Sequence, residues 1–549
     1  MDKTEAKLAQ CINHDETMDY PDFDAMWSRL ENQLPEPGAT LLPVPPETKK
    51  RKPLRKVAAI GALAALLAAA PVVAAVADRW DTILSYRAGV RSALEQGLGQ
   101  AIGQSVTREK VTVTVETAIV DENRTVILFS LNTRDKTPEE GMFFNIEEVE
   151  LKDANGQPVE GWKQLNWDPA AKTWRGYFES EWSPSETLAN VTLTFRNVQA
   201  ISPVERELSL KPLEEQVQTF DIRQDGIGQL TVKPFIQGDK MMLNSAIAFD
   251  QPEAQKWAFP RIGVFHGGVP VSEAGTGAFG KPDENGNYTG QQSFLLSELK
   301  QEQVAYKLLY SKEAKRINAD WIFDLQLDKQ RMESGTVKRE LNIPLEHLDQ
   351  KMTLTRMITT PTQVRIKASH DKYARFPFMN YSLEVDGVVL RGGIADSHTN
   401  PEETVFRFEV PPAVRITEQS VVSFVARYER VERKDAKAPI PLREISEEKK
   451  TITTDVGGYS VLWTYFRQDG SLYVQSESGT PGFGGVNQTY MLSGEKREVG
   501  QKMTVSFGGD GNNQATDKYP GFAGKDADVY IFWYYTENPD KELRTVISP

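Results

Sequence analysis

One stretch limits what this chain can become. Residues 57–77, VAAIGALAALLAAAPVVAAVA, run for 21 positions without a charge. As a helix they would rise about 31 Å, enough to cross a hydrocarbon core of about 30 Å. Six cations stand directly before them, at Lys49, Lys50, Arg51, Lys52, Arg55 and Lys56, whereas Asp78, Arg79, Trp80 and Asp81 follow. That asymmetry predicts one transmembrane helix with residues 1–56 in the cytoplasm and everything after Ala77 outside. Pro71 lies within the stretch and should kink the helix or loosen its last turns. Two competing readings are a buried soluble helix and a cleaved signal ending at Ala75-Val76-Ala77. The run without a polar side chain argues against the first, and the 56 residues ahead of it argue against the second.

At 549 residues the chain is too long for one core. The first 56 residues carry 9 bases and 10 acids, which leaves 55 and 67 for the rest. An exterior that acidic offers nucleic acid no electrostatic attraction. Cys11 is the only cysteine and precedes the apolar stretch. The exterior must therefore be held by hydrophobic cores without disulfides. The five histidines are scattered and form no metal-ligand spacing.

In the head, DFDAMWSRLENQL sets Phe23, Met26, Trp27, Leu30 and Leu34 on one helical stripe. Asp19 or Asp22 caps its start, and Pro35 and Pro37 stop it. A helix of about 12 residues is marginal alone. Its stripe packs on a first short helix bearing Leu8, Cys11 and Ile12, or docks in a groove of a cytoplasmic partner. Ten acids and three bases precede Lys49, which favours a partner with a basic surface. Residues 34–46 then carry five prolines, a stiff linker.

Beyond the stretch, residues 78–104 predict a helix with Ile83, Tyr86, Val90, Leu94, Leu98 and Ile102 along one side. Gly97, Gly99 and Gly103 weaken its far end. From Ser105 the period changes to two: VTVTVETAIV and TVILFSL are strands split by Asp121, Glu122 and Asn123. The same order of elements recurs four times. Opening strands begin near Val111, Leu230, Met352 and Val461, with partners near Thr125, Met241, Gln363 and Ser471. Closing strands begin at Val191, Val304, Val421 and Val529. Turn-centred hairpins stand at LKDANGQPV, VFHGGVPV and LEVDGVVL, but the fourth unit offers only a Gly- and Asn-rich run at 508–514. The fold class predicted is mainly β: tandem immunoglobulin-like β-sandwiches outside one transmembrane helix, with a short helical cytoplasmic head. The segments are a head with its linker (1–48), a basic flank (49–56), the span (57–77) and a juxtamembrane helix (78–104). Sandwiches follow at 105–212, 213–345 and 346–446, with a last β domain at 447–549. Residues 311–345 and 432–452 are charged and read as hairpin extensions or linkers.

No nucleophile elbow, phosphate loop or dinucleotide fingerprint is present. The exterior is read as no enzyme, with no cofactor, no metal and no catalytic residue assigned. Asp283, Asn285 and Asn287, and Asp510, Asn512 and Asp517, resemble oxygen-rich cation loops. Neither set has a full ligand pattern, and polar hairpin tips account for both. His266 reads as a turn residue. The aromatics at Trp463, Tyr465, Phe466 and 532–535 read as core at alternate positions.

The run from RKVAAIGALAALLAAAPVV through LGQAIGQSVTREKVTVTVETAIVDENRTVILFSL resembles the family called domain of unknown function 4179. Its marks are a short head, one span, a Gly-broken helix and Thr/Val strands around a D-x-N-R-T turn, here Asp121 to Thr125. NQTYMLSGEKREVGQ is similar as well. The family comprises bacterial membrane proteins often encoded beside extracytoplasmic-function sigma factors. The resemblance implies an anti-sigma-like regulator whose head holds a cytoplasmic sigma factor while the exterior receives an envelope signal. The head lacks the His/Cys zinc signature of many anti-sigma factors, so partner binding would rest on Phe23, Met26, Trp27, Leu30 and Leu34. The alternative is an envelope-binding or scaffold protein in which the head merely anchors. The partners expected are thus a sigma factor, the lipid bilayer and an envelope ligand, with no direct nucleic acid.

Overall fold

The computed structural model describes residues 80–548, apart from 134–140, 275–276, 284, 302, 347, 349, 373–374, 396–399, 469, 495 and 508–512. All belong to the second of two compact units, residues 67–549. The predicted span at 57–77 and the stripe of Phe23, Met26, Trp27, Leu30 and Leu34 lie outside the described residues. Among the described residues, no helix is long and apolar enough to cross a membrane. The described residues are mainly β and form five sheets.

The helix predicted over 78–104 is corrected. Residues 80–86 are successive turns, and the helix α1 spans only Ala88–Glu95. Gly97, at φ +72°, ends it. The amide of Leu98 bonds the carbonyl of Ala93 and that of Gly97 bonds Leu94, a Schellman close. Ile83, Val90 and Leu94 are buried as the stripe requires. Tyr86, however, falls in the turns and is 85% exposed, and Ile102 sits in a strand.

The first sandwich begins with β1 (Gln100–Arg108), β2 (Val111–Val120), β3 (Thr125–Thr133) and β4 (Phe143–Lys152). It continues through β5 (Pro158–Val159), β6 (Trp162–Asp168), β7 (Thr173–Ser180) and β8 (Leu188–Leu208). The second contains β9 (Gln218–Gln224), β10 (Ile227–Gln237), β11 (Lys240–Phe249) and β12 (Arg261–His266). It is completed by β13 (Val269–Pro270), β14 (Ala278–Pro282), β15 (Tyr288–Leu295) and β16 (Val304–Asp328). One face of sandwich 1 runs β1-β2-β3-β7-β6, and one face of sandwich 2 runs β9-β10-β11-β15-β14. A single sheet, β13-β12-β16-β8-β4-β5, backs both.

That sharing depends on two very long strands. β8 has 21 residues and β16 has 25. At roughly 3.3 Å per residue, 21 residues reach about 69 Å, several times the usual strand. They pair antiparallel from Leu208 opposite Tyr306 to Leu188 opposite Asp328. The start of β16 therefore packs in sandwich 2 with Tyr306, Leu308 and Tyr310. Its end packs in sandwich 1, where Trp321, Phe323, Leu325 and Leu327 join Val113, Phe129 and Phe195. β8 does the reverse. Residues 311–328, read from the sequence as part of a charged extension, are thus the second half of a core strand. Its charge concentrates between the two cores, at residues 311–320, which are half-buried or exposed. There Arg316 bonds Glu147 at 2.8 Å and pairs with Glu313 at 2.9 Å.

The second half of the chain repeats this plan. Its first sandwich holds β17 (Val337–Pro344), β18 (Met352–Thr359), β19 (Gln363–His370) and β20 (Phe378–Val385). β21 (Val388–Ala395), β22 (Glu403–Glu409) and β23 (Val422–Leu442) follow. The last sandwich has β24 (Lys450–Val456), β25 (Tyr459–Gln468), β26 (Ser471–Ser478) and β27 (Phe483–Ser493). It closes with β28 (Lys496–Val499), β29 (Gln501–Ser506), β30 (Asn513–Pro520) and β31 (Ala527–Ser548). The order β24-β25-β26-β30-β29 mirrors β9-β10-β11-β15-β14 strand for strand. The order β17-β18-β19-β22-β21 mirrors β1-β2-β3-β7-β6, with β21 standing for both β5 and β6. β23 and β31, of 21 and 22 residues, again cross both cores. The fourth hairpin, not legible in the sequence, is β27–β28, turning through Gly494 at φ +61°.

Candidate functional site

The turn between β2 and β3, DENR at 121–124, meets its structural counterpart in the second repeat, the β18–β19 turn at 360–362. Polar residues crowd this contact, yet Asp121, Asn123, Arg124, Thr360, Thr362 and Gln363 are all buried. Asp121 shapes its own turn: Oδ1 accepts the amides of Asn123 (2.7 Å) and Arg124 (3.0 Å). Its Oδ2 accepts the Thr362 hydroxyl. Asn123 Nδ2 donates to the carbonyls of Ile358 and Gln363 at 3.2 and 3.0 Å. One turn thereby reads the backbone of the other.

Arg124 is the centre, only 1% exposed. Nε donates to Thr362 Oγ1 at 3.0 Å. Nη1 donates to Glu179 Oε1 at 3.0 Å and Glu409 Oε1 at 2.7 Å. Nη2 donates to Glu409 Oε2 at 2.9 Å and the Thr362 carbonyl at 3.2 Å. All five guanidinium hydrogens have acceptors, the condition under which a buried charge is tolerated. Glu179 lies on β7 and Glu409 on β22, which are equivalent strands of the two repeats. Burial alone would lower the Arg124 pKa, but the Glu409 and Glu179 charges raise it well above the ordinary value. Burial pushes the Glu179 carboxyl up, yet Arg124 and Arg87 more than offset this and hold it below the usual range.

The first helix is fastened to the same point. Arg87 Nε donates to Glu179 Oε2 at 2.7 Å, and the Gly89 amide donates to Glu409 Oε2 at 3.0 Å. A Cβ on Gly89 would stand 1.7 Å from the Thr362 carbonyl oxygen, so only glycine permits this approach. Upstream, Trp80 is 1% exposed and packs with Leu84, Leu94, Ile119 and Leu128.

Beside this joint lies a cleft of about 1000 Å³ between sandwiches 1 and 3. Trp162 and Glu181 line it from the first repeat, and Arg365, Lys367, Ile394 and Arg407 from the second. Of its acids, Glu122 is bound by Lys329 and Lys338 and Glu179 by Arg87 and Arg124. Both have lowered pKa values. The cleft thus does not offer a general acid at either position.

The second joint brings sandwiches 2 and 4 together through equivalent hairpins. Phe235 and Met242, on β10 and β11, pack against Phe466 and Tyr473, on β25 and β26. Phe466 is therefore interface rather than the core of its own sandwich, whereas Trp463 and Tyr465 are core. Gln237 Oε1 accepts the hydroxyls of Thr504 and Thr516.

The oxygen-rich loops are otherwise occupied. Asp283 accepts the amides of Asn285 and Asn287 and the Asn287 side chain, so it closes its own hairpin. Asp517 is not in a loop: it is buried on β30, accepting the amide and hydroxyl of Thr489 beside Lys502. Asp510 and Asn512 lie outside the described residues. His266 ends β12 at its hairpin. Among the described residues, no group of three or more His, Cys, Asp or Glu is placed to hold a metal ion. The D-x-N-R-T turn was visible in sequence as a turn, but nothing local marked it as a buried joint.

Residues 49–133 match the model of the domain of unknown function DUF4179. That segment runs from the basic flank through α1 to the end of β3. It therefore includes both the Gly89 contact and the Arg124 turn. No curated protein matches the chain. Among solved structures, the crystal structure of a conserved domain protein from Bacillus anthracis is similar at 11% identity, covering 57% of this chain and 90% of that one. The TM-score of that match is 0.17.

Proposed function

We propose that this protein is a single-pass membrane regulator, anti-sigma-factor-like, coupling an extracellular array of β-sandwiches to a cytoplasmic sigma factor. The observation that carries the reading is the lack of slack after the apolar stretch. Trp80, three positions past Ala77, is already buried with Leu84, Leu94, Ile119 and Leu128 against the first sandwich. Eight residues further on, α1 is pinned to the repeat joint through Gly89 and Arg87. In this reading residues 57–77 span the bilayer, residues 1–56 are cytoplasmic and the sandwiches are outside. A change at the joint would pull directly on the span. The stripe of Phe23, Met26, Trp27, Leu30 and Leu34 would hold the sigma factor, and no catalytic role is proposed.

The strand order supports reading each sandwich as immunoglobulin-like. β2-β3-β7-β6 occupy the places of strands A-B-E-D, and β5-β4-β8 those of the facing C′-C-F. The last place, G, is filled by the end of β16, which comes from the neighbouring sandwich.

The test is to purify the full chain from membranes and identify co-purifying sigma factor. A sigma factor retained by the wild type and lost in Trp27→Ala/Leu30→Ala is expected. A wild-type chain that retains none overturns the regulator reading. The second reading, an envelope-binding protein whose head only anchors, draws on the cleft beside the joint.

A further inference from the structure

The floor of the cleft between sandwiches 1 and 3 contains an imbalance. Arg365 on β19 and Arg407 on β22 are direct cross-strand partners. Like charges in that position repel. Lys367, two residues on, has its own partner in Glu403 at 2.9 Å. The two arginines share one oxygen of one carboxylate: Glu181 Oε1 stands 3.0 Å from Arg407 Nη1 and 3.6 Å from Arg365 Nη2. Glu181 comes from the other repeat, and its side chain is 51% exposed. Arg365 is largely buried. Burial, together with the Arg124 and Arg407 charges, makes its protonated form costly despite Glu181. Two guanidiniums therefore hold one loosely seated anion. Apolar surface flanks them: Trp162 is 41% exposed and Ile394 is 44% exposed in the same cleft.

We propose that this cleft binds an acidic saccharide, whose anionic group displaces Glu181 and bridges Arg365 and Arg407 while a sugar ring lies on the exposed surface of Trp162 and Ile394. Two arginines on adjacent strands suit a planar carboxylate or a phosphodiester, because guanidinium presents paired donors to either. Glu181 acts as the resident competitor. It occupies the site in the free protein and swings out as the ligand's charge takes its place. No bond is made or broken. The site is independent of the head, so its test is separate from that of sigma-factor retention.

The experiment uses the full chain in lipid nanodiscs, titrated calorimetrically with three probes. These are an oligogalacturonate bearing carboxylates, an oligosaccharide whose sugar rings are linked through phosphodiesters, and neutral maltoheptaose. Binding of at least one anionic probe without binding of maltoheptaose is expected, and which one binds identifies the anion. Arg365→Gln/Arg407→Gln should weaken it at least tenfold. Glu181→Gln should instead tighten it about threefold or more, because the competitor is gone. That gain cannot come from misfolding, so it keeps the test meaningful if the arginine variant is unstable. Failure of both anionic probes, equal binding of maltoheptaose, or an affinity that Glu181→Gln leaves unchanged or weakens would overturn the proposal.

Discussion

The two joints between the repeats are built from equivalent hairpins by opposite means. Between sandwiches 1 and 3, two turns meet end to end around a buried guanidinium. Between sandwiches 2 and 4, two sheet faces meet around Phe235, Met242, Phe466 and Tyr473. At the first joint every Arg124 hydrogen is bonded, and Asn123 Oδ1 is the one side-chain atom of that turn left without a partner. At the second, Gln237 Nε2, Asn244 Nδ2 and both polar atoms of Gln514 are buried without a partner. Ion networks fix register because only one arrangement satisfies them, though they add little net stability. Aromatic faces contribute burial but tolerate sliding. The contrast assigns the first joint the role of alignment and the second that of adhesion.

The largest expected effect breaks the first joint. Arg124→Ala leaves Glu179 and Glu409 facing one another in a buried site, and should cost about 3–5 kcal/mol in urea unfolding. If instead the loss is below about 1 kcal/mol, the network is ornamental and the comparison fails. Phe235→Ala should cost about 3 kcal/mol. Hydrogen exchange should show its loss of protection confined to β10, β11, β25 and β26, with α1 and the β2–β3 turn still protected. Gly89→Ala forces a methyl onto the Thr362 carbonyl and should cost about 1–3 kcal/mol. Spin-label distances between sandwiches 1 and 3 should lengthen in that variant, while those between sandwiches 2 and 4 hold.

Acid gives the mildest and most selective probe. Glu179 has a lowered pKa in the folded protein, so its contribution is present above the ordinary value of 4.5 and is lost as pH falls through the depressed one. Between pH 7 and pH 3, the wild type should lose stability that Glu179→Gln does not. Equal acid loss in both proteins would remove Glu179 from the account.

Much of the β architecture was legible. Starts near Thr125, Gln363 and Ser471 coincide with β3, β19 and β26, because alternation and turn residues are local signals. The helix over 78–104 was overextended, because the stripe continued in sequence after Gly97 had turned the backbone. Of the charged run read at 311–345, residues 311–328 were misread because their polarity reflects the half-buried or exposed middle of a ribbon. Trp321 and Phe323, which betray the core strand, lie in its second half, after the charges at 312–320. For the sites, Asp121 and Arg124 drew attention only as a family mark. Arg365, Arg407 and Glu181 carried no signal, since their meeting joins residues 226 positions apart.

By itself, then, the sequence determined the local elements: a 21-residue apolar stretch, alternating strands, hairpin turns and a recurring order of units. Periodicity and turn chemistry act over a few residues, so they survive in any reading of the chain. Tertiary structure alone decided that each closing strand finishes its neighbour's sandwich, that equivalent turns of the two repeats meet, and that an arginine can be buried between them. These follow from which surfaces exclude water together and which charges are then close enough to need one another, and no short window of residues contains that information.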